Sequence, residues 1–169
     1  SKLKKNLSKL KKIKVLIIAG GKGTRLKPVT NVLPKPLIPI GEKTMIERII
    51  NKFEEQGIKN FYISIFYKKE LIKSYFNDLK LKIKINFFEE KKPLGTAGSI
   101  SFLKNISGKQ FIVTNCDNMV KVNYESLINF HNEKKFDLTI VGCYKKVKIS
   151  YGEILLDNSG NYKKINEKP

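Results

Sequence analysis

Apolar residues in this chain follow two rhythms. Short continuous runs at 15–19, 61–66, 83–88, 111–115 and 138–143 read as strands buried on both faces. Between them, segments 44–56, 69–79, 96–103 and 124–133 carry apolar residues three and four apart, as in helices with one buried stripe. The first of these is the best marked. Thr44 is placed to cap it, Glu47 stands three residues on, and Gly57 stops it. Met45, Ile46, Ile49, Ile50 and Phe53 form its expected buried stripe. The strand–helix alternation predicts an α/β fold: a three-layer, doubly wound, mostly parallel sheet with ligands at the strand C-terminal ends. Gly20, Glu89, Asn115 and Asp117 fall at or just after such ends. Residues 1–13 stand apart as a basic helical lead-in or linker, with Leu3, Leu7, Leu10 and Ile13 at helical spacing. Residues 14–169 then form one domain.

Charge changes this picture less than its size suggests. The formal net charge is +19, from 34 basic and 15 acidic residues. Only Arg25 and Arg48 are arginine, and the lysines recur in nearly every segment instead of forming one aromatic-lined stripe. This pattern argues for a compositional bias and against a nucleic-acid groove. Against that background an arginine at 25 points to a need for a planar, bidentate phosphate contact. No apolar run reaches the roughly 20 residues of a membrane span, and no signal peptide is visible. Cys116 and Cys143 are isolated, which fits a reduced cytoplasmic protein better than a disulfide scaffold.

The strongest chemical signal follows the first strand. Gly20, Gly21 and Gly23 allow positive φ and close backbone approach, so that successive amides can cradle an anion. Leu26 occupies the place where a dinucleotide fingerprint needs a small residue, and Gly23 breaks the P-loop pattern after Lys22. Lys35 lies between Pro34 and Pro36, whose fixed torsions lower the cost of ordering its loop. Asp117 follows an apolar strand and can project a carboxylate into the crevice; magnesium favours few carboxylates alongside phosphate oxygens and water. Cys116 reads as strand-end packing and His131 as a helix surface residue.

The string G-G-K-G-T-R-L-K-P-V-T from Gly20, followed by L-P-K-P-L-I-P-I, resembles the signature of the sugar-1-phosphate nucleotidyltransferases. Further segments continue it in order: Lys43 to Glu47, Pro93 to Gly98, Asn115 to Asn118, Tyr151-Gly152, and Glu167-Lys168-Pro169. The resemblance implies a Rossmann-like nucleotidyltransferase fold and transfer of a nucleoside monophosphate from a nucleoside triphosphate to a sugar 1-phosphate, for surface glycan synthesis. It implies Arg25, Lys35 and Asp117 as catalytic residues, with Asp117 holding Mg2+. Ala19, Gly20, Gly21, Gly23, Thr24, Glu90, Pro93, Gly95 and Thr96 would bind the nucleotide. Asn115, Gly152, Glu167 and Lys168 would bind the sugar phosphate. Glu90 in the base-reading position, with the Pro-Leu-Gly-Thr-Ala-Gly wording, favours GTP and the guanylyl branch. Relatives continue past the equivalent of Pro169, so the domain is expected to be incomplete at its C-terminus. A preceding regulatory domain and a homo-oligomer are compatible with the family. The competing reading is a regulatory or structural relative that keeps the fold without the reaction.

Overall fold

The computed structural model describes residues 10–79, 83–106, 108, 110–147 and 151–167. They divide into two compact units, one up to Lys134 and one from Lys135 onward. Most of the expected lead-in lies outside the described residues. Its last part does not: Leu10 and Ile13 are buried in the core of the first unit.

The first unit is built on four parallel strands: β1 (Lys14–Ile18), β4 (Asn60–Ile65), β5 (Lys84–Glu89) and β6 (Phe111–Asn115). Their spatial order is β5-β4-β1-β6, which puts the most apolar strand at the centre. In register, Val15 lies between Phe61 and Ile112, and Ile17 between Ile63 and Thr114. The expected strands agree with these within one residue at either end. A two-residue hairpin precedes the first long helix, pairing β2 (Pro39–Ile40) with β3 (Lys43–Thr44).

Helix α1 (Met45–Glu54) begins with a capping box. The Glu47 N–H donates to Thr44 Oγ1 at 3.4 Å, and the Thr44 N–H donates to Glu47 Oε2 at 2.8 Å. Ile46, Ile49, Ile50 and Phe53 are buried as the spacing predicts, but Met45 is only half-buried. It occupies the first position of the helix and faces a cavity, not the core. The helix ends in a reversal at Gly57 (φ 90°), where the Ile58 N–H reaches back to the Phe53 carbonyl.

The period-two alternation of the strands sorts the two faces of the sheet. Phe61 meets Phe53 of α1 edge-on, and Phe87 meets Phe76 of α2 (Lys69–Asp78). Phe53 also stacks on Tyr124 of α4 (Tyr124–Lys134), so three helices share this face. On the opposite face, Tyr62 stacks on Phe88, which stacks on Phe102. Phe102 belongs to a 3-10 segment, Ser99–Asn105, that follows the single turn α3 (Gly95–Gly98). Three layers result, as expected. The helix expected over 96–103 is therefore one α turn and a 3-10 stretch. Glycines at both ends of the turn weaken it, and the Ser101 hydroxyl donates to the Gly98 carbonyl at 2.7 Å, which tightens the chain.

The second unit holds an antiparallel hairpin, β7 (Glu153–Leu156) and β8 (Tyr162–Asn166). Its turn is set by Asp157, whose Oδ1 accepts the N–H groups of Ser159 and Asn161, and by Gly160 at φ 83°. The strand expected over 138–143 is not formed. Leu138 and Ile140 are 74% and 81% exposed. Apolar alternation supplies a face, but a strand needs a ladder partner, and none pairs with this segment among the described residues. No helix among the described residues is long and apolar enough to cross a membrane.

Candidate active site

At the C-terminal ends of β1 and β6 the parallel ladder continues one step into the loops. The Ala19 N–H donates to the Ser64 carbonyl at 2.9 Å and the Cys116 N–H to the Ile18 carbonyl at 3.1 Å. These bonds fix where the chain leaves the sheet. The glycine-rich loop begins there, and a cavity of about 660 Å3 opens beside it. Gly20, Gly21, Gly23, Thr24 and Arg25 line it from one side, Lys35, Asn115 and Asp117 from another, and Glu90, Pro93 and Gly95 from a third. Eleven of the residues expected at the nucleotide or the reacting phosphates thus meet in one place. Ala19 sits just behind them, buried. Thr96 belongs to α3, its side chain lying outside the described residues. Gly152 and Glu167 belong to the second unit, and Lys168 lies outside the described residues.

The three glycines do different work from one another. Of the three in the loop only Gly23 has positive φ, 63°, where it starts the turn Thr24–Leu26. A Cβ on it would also lie 2.9 Å from Thr30 Cγ2. The buried Thr30 hydroxyl donates to the Gly23 carbonyl at 3.0 Å, and the Tyr67 hydroxyl donates to the Thr30 carbonyl at 3.0 Å. Gly20 is demanded by space: a Cβ there would lie 2.9 Å from Glu90 Oε1. Gly21 is unlike both, because a Cβ on it would meet no protein atom within 4 Å. Its missing side chain leaves room at the cavity wall and not in the fold. Gly21→Ala is accordingly expected to keep the melting temperature within about 1 °C, since exposed substitutions away from special features change stability little. Nucleotide affinity should fall about tenfold or more if the loop amides approach phosphates closely; unchanged affinity by calorimetric titration would contradict that role.

Pro34 and Lys35 lead into a 3-10 turn, Lys35–Leu37, whose Pro36 and Leu37 are buried. The turn aims the Lys35 ammonium at Asp117: Nζ lies 2.5 Å from Oδ2, with the side chains 25% and 36% exposed. Arg25 has no carboxylate partner among the described residues. The site therefore presents an uncommitted guanidinium beside a lysine–aspartate pair whose charges cancel. Cys116 in the cavity wall is buried, and that burial, with the Asp117 carboxylate next to it, pushes its thiol up to about 12. It stays protonated near neutral pH and is an unreactive packing residue, as expected of it. Both cysteines are free.

Glu90 is the buried acid of the cavity. Its N–H continues the sheet to the Ile65 carbonyl at 2.9 Å. Its Oε1 accepts the hydroxyls of Ser64 and Ser99, and its Oε2 accepts the Leu94 N–H at 3.1 Å. Neither serine is singled out by a motif: Ser64 sits inside an apolar strand and Ser99 just past the Pro93–Gly98 segment. The cavity also takes in Leu26, Met45 and Leu94, apolar residues that the motifs do not single out.

Residues 14–169 match the family model described as nucleotidyl transferase. The chain is 35% identical over 164 residues to a probable mannose-1-phosphate guanylyltransferase 1 of Oryza sativa subsp. japonica, covering 93% of this chain and 45% of that protein. It is 38% identical over 115 residues to the D-glycero-alpha-D-manno-heptose 1-phosphate guanylyltransferase of Campylobacter jejuni, covering 68% of this chain and 52% of that protein. Among solved structures, HddC from Yersinia pseudotuberculosis, complexed with GMP-PN, superposes with a TM-score of 0.68 at 34% identity, covering 92% of this chain and 69% of that one. The chain spans about half the length of the curated relatives it matches.

Proposed function

Because the chain belongs to the nucleotidyl transferase family, we propose that it transfers GMP from GTP to a sugar 1-phosphate, releasing pyrophosphate and giving a GDP-sugar. The observation that carries this reading is the meeting of the glycine loop, Arg25 and the Lys35–Asp117 pair in one cavity at the strand ends. The named relatives at 35% and 38% identity are guanylyltransferases, which supports GTP. Both are named for manno-configured sugar phosphates, so these are the first acceptors to try. The family model spans both compact units, and we take residues 14–169 as parts of one transferase domain.

The reaction joins two anions. An oxygen of the sugar phosphate attacks the α-phosphorus of GTP in line. A P–O bond forms there as the bond to the bridging oxygen breaks, and that oxygen leaves with pyrophosphate. The nucleophile already carries its charge, so no general base is required. The protein must lower repulsion and hold the line of attack. Loop amides from Gly20 to Gly23 face the triphosphate. Arg25, with no acid to satisfy, takes the departing pyrophosphate through its planar fork. Lys35 exchanges Asp117 for the phosphate oxygens as they arrive. Asn115, which lines the same cavity, is assigned to the sugar-phosphate end.

The donor set suits magnesium delivered with the nucleotide. No group of three or more His, Cys, Asp or Glu that could cage a metal occurs among the described residues, and Asp117 offers one carboxylate at the phosphate end. Magnesium commonly binds through one or two carboxylates plus substrate phosphates. Bound there, Mg2+ would neutralise phosphate charge as pyrophosphate departs. We assign the protein to the cytoplasm, where nucleotide substrates and two free cysteines are at home, and to the supply of activated sugar for surface glycans.

The test is pyrophosphate release by the full-length protein with magnesium, crossing GTP, UTP, CTP, dTTP and ATP with a panel of sugar 1-phosphates that includes mannose 1-phosphate. Release with GTP, tenfold or more above the other nucleotides, is expected. Release with no pair would end the enzyme reading, and preference for another nucleotide would end the guanylyl one.

A further inference from the structure

We infer that Ser64 and Ser99 are positioning residues for nucleotide selection, acting through Glu90. The inference rests on the guanylyl reading above and deepens it.

Ser64 and Ser99 are fully buried, and Glu90 is 6% exposed. Ser64 interrupts the apolar strand β4 between Ile63 and Ile65, and Ser99 opens the 3-10 segment Ser99–Asn105. Both hydroxyls reach Glu90 Oε1, Ser99 at 2.8 Å and Ser64 more closely still. The two hydroxyl oxygens lie 3.0 Å apart. Each hydroxyl has one proton, and both are satisfied whether each donates to Oε1 or Ser64 donates to Ser99 and Ser99 to Oε1. The Leu94 N–H occupies one site on Oε2. A carboxylate has about four acceptor sites, so the second site on Oε2 remains.

No lysine or arginine pairs with Glu90 among the described residues. A buried acid without a cation is costly, and one in the wall of a triphosphate cavity also repels phosphate. Its position makes sense at the other end of the nucleotide. There an acceptor-only group favours a base edge rich in N–H donors. Guanine offers N1–H and the 2-amino group, whereas adenine turns an acceptor, N1, toward the carboxylate. A site built to accept such donors rejects analogues that lack them far more strongly than apolar contacts do.

That discrimination depends on where the carboxylate stands. The serines fix it from two elements, beside a position where any side chain larger than that of Gly20 would crowd it: a Cβ there would lie 2.9 Å from Oε1. Without one serine, Glu90 loses a charge-assisted hydrogen bond of a kind that matters about tenfold or more. The carboxylate is then free to turn from the base edge. Losing it should reduce selection of the base without disabling transfer at the phosphates.

The experiment measures binding of GTP, ITP and ATP by calorimetry to the full-length wild type, Ser64→Ala, Ser99→Ala and Glu90→Gln, with melting temperatures and with kcat and KM for GTP. ITP keeps N1–H and lacks the 2-amino group. The GTP-to-ATP affinity ratio is expected to fall about tenfold in each serine variant, with ITP intermediate in the wild type. KM for GTP should rise while kcat stays within about threefold. If Ser64→Ala fails to fold, Ser64→Cys keeps the volume with a weaker donor, and Ser99→Ala stands alone. A wild-type ratio in folded serine variants, with the ratio lost in Glu90→Gln, overturns the positioning role and leaves the guanylyl reading intact. No preference for GTP in the wild type overturns both.

Discussion

Lys35→Ala is expected to lower kcat/KM roughly 10²- to 10³-fold, the usual cost of removing one preorganised group that meets developing charge. The turn that holds Lys35 is built from the buried Pro36 and Leu37, so the lysine can be truncated without disturbing its support. Two effects combine. The phosphates lose a cation, and Asp117 loses the partner that neutralises it in the empty site. The second effect makes the variant worse than a simple deletion, since an uncompensated carboxylate now faces the incoming triphosphate. Lys35→Ala combined with Asp117→Asn should therefore fall short of the summed losses, as coupled neighbours do. Lys35→Arg is not expected to restore activity, because a planar fork cannot reproduce a compact point charge in a turn of fixed reach. Steady-state kinetics with melting temperatures decide the matter. A folded Lys35→Ala variant within threefold of wild-type kcat/KM would remove this lysine from the chemistry.

Phe61→Ala carries the largest expected loss of stability, about 3–5 kcal/mol. Phe61 has no exposed surface and sits in β4, opposite Val15 in one neighbouring strand and Ile85 in the other. Its ring meets Phe53 at 6.1 Å and 69°, and Phe53 stacks on Tyr124 at 4.3 Å. Truncation thus opens a cavity beneath α1 and also removes the support that aligns the contact between α1 and α4. A domain with about 5–15 kcal/mol in total would lose roughly a fifth or more of it. Phe88→Ala is the comparison. Phe88 lies on the opposite face, half-buried between Tyr62 and Phe102, and should cost distinctly less. Urea unfolding followed by circular dichroism measures both; equal losses would contradict the face assignment.

What could be read in the sequence was what local chemistry determines. The strands of the sheet are apolar runs long enough to be buried. The capping box at Thr44 and Glu47 is written within four residues, and so is the departure at Gly57. The candidate site was legible where its parts are contiguous, as in the loop from Gly20 to Arg25 and the proline-flanked Lys35. What could not be read depends on distance. The Lys35–Asp117 pair joins residues 82 apart. Ser64 and Ser99 look like ordinary polar residues until β4 and the 3-10 segment bring them to Glu90. The stretch 138–143 shows the reverse error, since its pattern is strand-like and only the missing partner decides otherwise. The hairpin β7–β8 is faint in the sequence although Asp157 and Gly160 mark its turn. Its flanking residues mix lysine, asparagine and tyrosine with the aliphatics, which obscures the alternation.

The order β5-β4-β1-β6 has a consequence for how the molecule comes into being. β1 is one of the two inner strands, yet both of its partners, Asn60–Ile65 and Phe111–Asn115, are made long after it. At roughly 5–20 residues per second, synthesis leaves β1 waiting on the order of ten seconds for its second edge to be covered. Throughout that interval an apolar strand with unpaired N–H and C=O groups is available to any passing chain. Loop closure over such separations is also slow in the finished polypeptide. The residue order that places the phosphate loop at the heart of the sheet therefore makes the nascent protein dependent on protection: by the ribosome tunnel first, and afterwards by whatever shields exposed strand edges in the cell.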